Sequence, residues 1–211
     1  MNNNEIIKKF GEIGLLDRWH IKKRLKRARF AWLSQFVPTK GAILDLGCGH
    51  GLFSFFLHKQ FPERNICGID IDERKIILAR RAFKDKGLDF AKRELSSFAE
   101  ASFDAVLVID VIYLLQEDRQ FILLNKCLNL LKLGGVLLIK MADPNSYDRY
   151  YAYAHELVMK FAFGRTKGEK IAFTDPGLIE KFLKNKGCEC RMIDTLGAPK
   201  ASKTIVCRKI K

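Results

Sequence analysis

The sequence predicts an α/β fold, doubly wound about a largely parallel sheet. Three observations carry that expectation. From residue 42 onward short apolar runs alternate with stretches of helical period, a glycine-rich turn closes the first run, and two strand-like runs joined by a loop with Gly197 and Pro199 end the chain. With 211 residues, 48% hydrophobic and 29% charged, there is apolar side chain enough for one core and one domain. The same balance excludes disordered, collagenous and low-complexity classes.

Residues 17–36 set Trp19, Ile21, Leu25, Ala28, Trp32 and Phe36 close to helical spacing, so one amphipathic helix is expected there. Its other side chains include seven Lys or Arg and no acid between positions 18 and 29. Pro38 and Gly41 end this stretch, which divides the chain into a basic helical arm, 1–40, and a main domain, 41–211. Strands are expected at 42–46, 65–69, 88–91, 105–109, 136–141, 190–194 and 204–208. Helices are expected at 51–60, 73–86 and 118–132, the last stopped by Gly134 and Gly135. Residues 143–173 read as an aromatic, lid-like helical insertion. Thr174-Asp175-Pro176 then opens a short helix that Gly187 closes.

No run approaches the roughly 18 apolar residues of a membrane span, and the opening MNNNEIIKKF lacks a secretory core, so a cytoplasmic protein is expected, with peripheral membrane contact open to it. Six cysteines at 48, 67, 127, 188, 190 and 207 show no disulfide or zinc spacing; reduced thiols and no metal are expected. The charge is unusual: 38 basic against 24 acidic residues, a net +14. That suits an acidic partner without choosing among nucleic acid, anionic lipid and acidic protein.

Chemistry concentrates at residues 42–51, AILDLGCGHG, where an apolar strand meets Asp45 and then Gly47, Gly49 and Gly51 at alternate positions. A backbone so bare lets a ligand lie on the turn and the following helix N-terminus. Asp70 falls at the end of the second strand, where a carboxylate can accept hydrogen bonds from both hydroxyls of a ribose. The third glycine comes one residue earlier than in dinucleotide sites, and an acid precedes the first glycine by two.

At these residues the chain resembles the class I S-adenosylmethionine-dependent methyltransferase family, over about residues 40–141. AILDLGCGHG is similar to the family's first motif and Asp70 to its ribose-binding acid. SFDAVLVIDVIYLL at 102–115 is similar to its fourth-strand motif, and LKLGGVLLIK at 131–140 to the turn and strand that follow. The resemblance implies a Rossmann-like seven-stranded sheet, mostly parallel with a C-terminal antiparallel strand, and S-adenosylmethionine as cofactor with S-adenosylhomocysteine as product. It further implies that the backbone from Gly47 through Cys48 to Gly51, with Ile109 and Asp110, holds the methionine part. Asp70 would then hold the ribose, Ile71 would lie against the adenine, and Glu94 with the Leu95 amide would meet the adenine edge, Glu standing where the family commonly has Asp.

The acceptor is less legible. No Asn-Pro-Pro-Tyr motif follows the fourth strand and no Pro-Cys pair occurs for attack on a pyrimidine. Tyr113 and His155 are the candidate proton acceptors, although a methyl on a sulfonium is activated enough to need no base. The aromatic 143–173 segment and the basic arm suggest a small or lipid-like acceptor, displayed on an acidic carrier protein or at an anionic membrane met by residues 18–29. A solvated helix face is the plainer account of that charge run. The rivals are an RNA methyltransferase, which the net charge would suit, and a non-catalytic module that binds the cofactor only for docking.

Overall fold

The computed structural model describes residues 3–27, 29–143, 172–195 and 202–211, the Arg27 side chain excepted. Seven strands form one sheet: β1 (Gly41–Leu46), β2 (Arg64–Ile69), β3 (Leu88–Ala91), β4 (Phe103–Ile109), β5 (Leu131–Ala142), β6 (Cys188–Asp194) and β7 (Ser202–Lys209). Their order is β3-β2-β1-β4-β5-β7-β6. Strands β1 to β5 pair in parallel, and β7 slots between β5 and β6 antiparallel to both. The expected sheet is therefore present.

Helices α1 (Asn3–Lys9), α2 (Leu15–Arg27), α3 (Phe30–Ser34), α4 (Leu52–Gln60), α5 (Glu73–Ala82), α6 (Glu117–Leu130) and α7 (Pro176–Asn185) cover the two faces. Because side chains alternate along a strand, each inner strand serves both layers. Ala105, Leu107 and Ile109 of β4 join the layer under α4 and α5, while Val106 and Val108 join the one under α6 and α7.

The N-terminal stretch belongs to that first layer. Phe10, Ile21 and Leu33 are completely buried in it, each contributing about 1.5–3 kcal/mol. The single helix expected over 17–36 is broken. Arg29 takes a left-handed φ of 50°, and the new direction lets the Phe30 ring stack on Phe53 at 5.1 Å. Helix α5 also stops short of the expected end at 86, because Phe83 leaves helical geometry to stack on Phe55 at 4.1 Å.

Arg64 fastens the arm to the sheet. Fully buried, its guanidinium donates to the carbonyls of Pro38, Leu57, Ser34 and Val37 and to the Gln60 side chain, at 2.7–3.4 Å. Five donors find acceptors with no carboxylate present, and burial lowers its pKa.

One cysteine expectation is corrected: Cys190 and Cys207 form a disulfide. They are direct partners across the antiparallel β6–β7 pair, an adjacency that 17 residues of sequence separation concealed. Cys48, Cys67, Cys127 and Cys188 are free.

Candidate functional site

Strand order reverses between β1 and β4, and a cleft of about 310 Å³ opens at their C-terminal ends, where ligands of open α/β sheets bind. Its floor is Asp45, 3% exposed at the end of β1. Ser54 of α4 donates to its Oδ2 at 2.5 Å. Burial drives the Asp45 carboxyl up to about 6; the Ser54 bond and the Arg24 charge oppose that rise, and Asp70 adds to it.

The bend after β1 wraps the end of β2. Gly47 and Cys48 both donate their amides to the Ile69 carbonyl, at 2.7 and 3.0 Å. The Gly49 amide donates to Asp70 Oδ2 at 2.9 Å, and the Asp72 amide to Asp70 Oδ1 at 2.8 Å. Asp70 is thus pinned beside the bend with acceptor capacity left on each oxygen. Two glycines of the bend have different surroundings. At Gly51 (φ 72°) a Cβ would stand 2.5 Å from the Phe90 ring, whereas at Gly49 (φ 58°) it would enter open space. Gly49 lines the cleft, so the missing side chain there leaves room for a ligand against the backbone.

Asp110 closes the end of β4. Its backbone is left-handed, φ 58°, and its carboxylate is gripped by Lys140 Nζ at 2.5 Å on Oδ1 and by Arg24 Nη1 at 2.8 Å on Oδ2. Burial pushes its pKa up, but Lys140 and then Arg24 outweigh that, and the net shift is downward. Asp110 therefore stays ionised as an anchor and is poorly suited to accept a proton. Burial likewise pushes the Cys48 thiol well up, reinforced by Asp45 and Asp70, so no reactive thiolate lies at the bend.

Of the residues picked from sequence, Asp45, Gly47, Cys48, Gly49, Asp70 and Ile71 line the cleft, joined by Ile109, Asp110 and Tyr113 from the fourth-strand side. Gly51 lies behind the bend against Phe90. Ile71 is 58% exposed. Glu94 and Leu95 are not brought in. Glu94 is exposed, with Ser96 and Ser97 as its hydrogen-bond donors, and Leu95 packs toward the α6 layer; Arg93 is the residue of that loop on the cleft wall. Tyr113 is 9% exposed; its carbonyl accepts from the Ala172 amide at 3.0 Å and its ring stacks on Phe173 at 5.5 Å. His155 and most of the expected lid lie outside the described residues.

The sequence singles out no individual residue of the basic helix for the site. Helix α2 sends His20 and Arg24 into the cleft wall, and its Asp17 meets His50 of the bend at 3.4 Å. The spacing 17, 20, 24 puts the three on one helix face, a signal hidden inside what reads as a charge run. Among the described residues no grouping suits a metal ion, and no helix is long and apolar enough to cross a membrane.

Known proteins share parts of this sequence and its fold. Residues 43–135 match the family model of a methyltransferase domain. Over 108 residues the chain is 31% identical to a fatty-acid O-methyltransferase of Mycolicibacterium smegmatis, covering 50% of this chain and 38% of that protein. Over 170 residues it is 28% identical to a malonyl-[acyl-carrier protein] O-methyltransferase of Legionella pneumophila, covering 74% of this chain and 59% of that protein. The chain therefore spans less than two thirds of the length of these relatives. In structure it resembles a SAM-dependent methyltransferase from Archaeoglobus fulgidus, with a TM-score of 0.65 at 18% identity over 88% of this chain and 94% of that one.

Proposed function

We propose, from the premise that residues 43–135 and the seven-stranded fold make this chain a member of the class I S-adenosylmethionine-dependent methyltransferase family, that it transfers a methyl group to a small or lipid-like acceptor. The observation that carries the reading is the Asp70 carboxylate, 2.9 Å from the Gly49 amide at a bend whose missing side chain faces open space. The donor supplies an electrophilic methyl on a positively charged sulfur. Residues around it suit that charge: Asp45 and Asp70 bring carboxylates to the cleft. The bend backbone and Asp45 would hold the methionine part, Asp70 the ribose, and the exposed Ile71 the adenine face.

Transfer forms a bond from an acceptor lone pair to the methyl carbon as the carbon–sulfur bond breaks, its electron pair staying on sulfur. The chain's task is alignment and exclusion of water, and proximity of this kind is worth about 7 to 11 kcal/mol of barrier. No base is required of Tyr113. Beyond Asp110 the fourth-strand side of the cleft turns apolar, with Tyr113, Leu114, Leu115 and Leu123. That wall, together with relatives named for a fatty acid and for a malonyl carrier protein, supports an acyl-type acceptor methylated on oxygen, free or displayed by a carrier.

The test is calorimetric titration with S-adenosylhomocysteine, followed by labelled-methyl incorporation into lipid, RNA, protein and small-molecule fractions of cell extract. Binding by the intact protein, weakened tenfold or more in Asp70→Asn, is expected, since a hydrogen bond to a charged group is worth about 1.5 to 3 kcal/mol. Absence of binding would end the methyl-transfer reading, and label entering RNA alone would replace the acceptor.

A further inference from the structure

Helix α2 has two unlike faces. The inner one carries Asp17, His20, Ile21 and Arg24: Ile21 is fully buried, Asp17 meets His50, and His20 and Arg24 wall the cleft. Half a turn away the outer face carries Leu15, Trp19, Lys22 and Lys26, with Leu16, Arg18 and Lys23 at its edges. Leu15 is 86%, Trp19 49% and Leu16 38% exposed. Arg18, Lys22 and Lys26 are exposed too, and Lys23 Nζ lies 4.9 Å over the Trp19 ring. Between residues 18 and 29 there is no acid.

From this arrangement we infer that the outer face of α2 is a docking surface for an anionic lipid bilayer, in which Leu15, Leu16 and Trp19 enter the headgroup boundary while Arg18, Lys22 and Lys26 meet lipid phosphates. The apolar group decides among acidic partners. Nucleic acid phosphates would engage the cations but would give two exposed leucines nothing to bury against. A bilayer takes both parts of the face at once, since an interfacial helix sinks large apolar side chains at the acyl boundary and keeps basic ones at headgroup level. Lysine stems lie along apolar surface while their ammonium groups reach outward, so Lys22 and Lys26 can flank Trp19 without opposing its insertion. Indole also favours that boundary, being apolar in body and polar at one edge.

The surface stands independently of methyl transfer; its use rests on that reading. The helix that meets the lipid is the one whose other face supplies His20 and Arg24 to the cleft, so docking holds the cleft within reach of a lipid-like acceptor.

Vesicle flotation of the intact protein, with no methyl donor added, tests the surface separately from the cofactor reading. Vesicles of phosphatidylcholine with about one-third phosphatidylglycerol are compared with pure phosphatidylcholine at low and high salt. The expected result is at least about a tenfold preference for the anionic vesicles, reduced by salt, and a further loss of about tenfold in Leu15→Ser/Leu16→Ser. Lys22→Glu/Lys26→Glu should abolish the preference. Brominated lipid should quench indole emission in the parent and not in Trp19→Phe. Circular dichroism confirms that each variant is folded, which the exposure of these side chains leads one to expect. Equal partition to neutral vesicles, full binding by the leucine variant, quenching that survives in Trp19→Phe, or tight binding to RNA or an acidic carrier protein without vesicle binding would each overturn the proposal.

Discussion

Gly49→Ala and Gly51→Ala place the same methyl group two residues apart on one bend, and the structure assigns them opposite consequences. Both positions are left-handed, at φ 58° and 72°, so each alanine incurs about 1–2 kcal/mol of backbone strain. At Gly51 the new Cβ would also stand 2.5 and 2.6 Å from two Phe90 ring carbons and 3.1 Å from the Ala79 Cβ, in a fully packed layer. Overpacking of that kind costs a further 1–3 kcal/mol or so, giving about 2–5 kcal/mol in all. Gly49→Ala meets no atom within 4 Å and should cost only the strain. Its methyl enters the cleft instead, so S-adenosylhomocysteine affinity should fall tenfold or more while the fold survives. Urea unfolding and calorimetric titration of both variants measure the two effects separately. Equal destabilisation by the two substitutions, or undiminished affinity in Gly49→Ala, would refute the assignment of packing to one glycine and ligand space to the other.

Asp45 should make the protein sensitive to pH. Its folded carboxyl titrates near 6 against a usual 3.8, so the folded state holds this proton more tightly than the unfolded chain. Stability from this group is then greatest below about pH 4, falls by about 2–3 kcal/mol as pH rises to 6 and is level above; Asp45→Asn should flatten that slope in urea titrations across the range. Affinity for a ligand bearing a cation beside Asp45 should run the other way, rising with pH up to about 6, and calorimetry at several pH values checks it. Arg24→Ala removes a charged hydrogen bond to Asp110 that is part-exposed, so a global loss of about 1–2 kcal/mol is expected, with faster amide exchange confined to α2; unchanged exchange there would show that the pair does not hold the helix down. Reducing the Cys190–Cys207 bridge, which spans 17 residues, should lower unfolding stability by about 3 kcal/mol, an effect of reductant that vanishes in Cys190→Ser/Cys207→Ser.

The strands and the glycine bend were legible because their causes are local. An inner strand such as β4 announces itself as a continuous apolar run, and the bend by glycines where the backbone must turn left-handed. Asp70 could be placed beside that bend because parallel neighbours β1 and β2 end in register, Leu46 opposite Ile69. Other features had no local signature. The break at Arg29 follows from where Phe30 finds Phe53, and the early end of α5 from where Phe83 finds Phe55. Glu94, which the family resemblance sets at the adenine edge, is exposed ahead of the turn Leu95–Ser97.

What the sequence alone determined is the class of fold, the site of the cleft and the carboxylate that faces its bend, because periodicity and allowed backbone angles act between near neighbours. Tertiary structure alone decided into which layer Ile21 and Leu33 would pack, that Arg24 and Lys140 would converge on Asp110, and that two distant cysteines would face each other. Those contacts join residues 17 to 86 positions apart. No helical or strand period reaches so far, and only the packing of whole elements brings such partners within bonding distance.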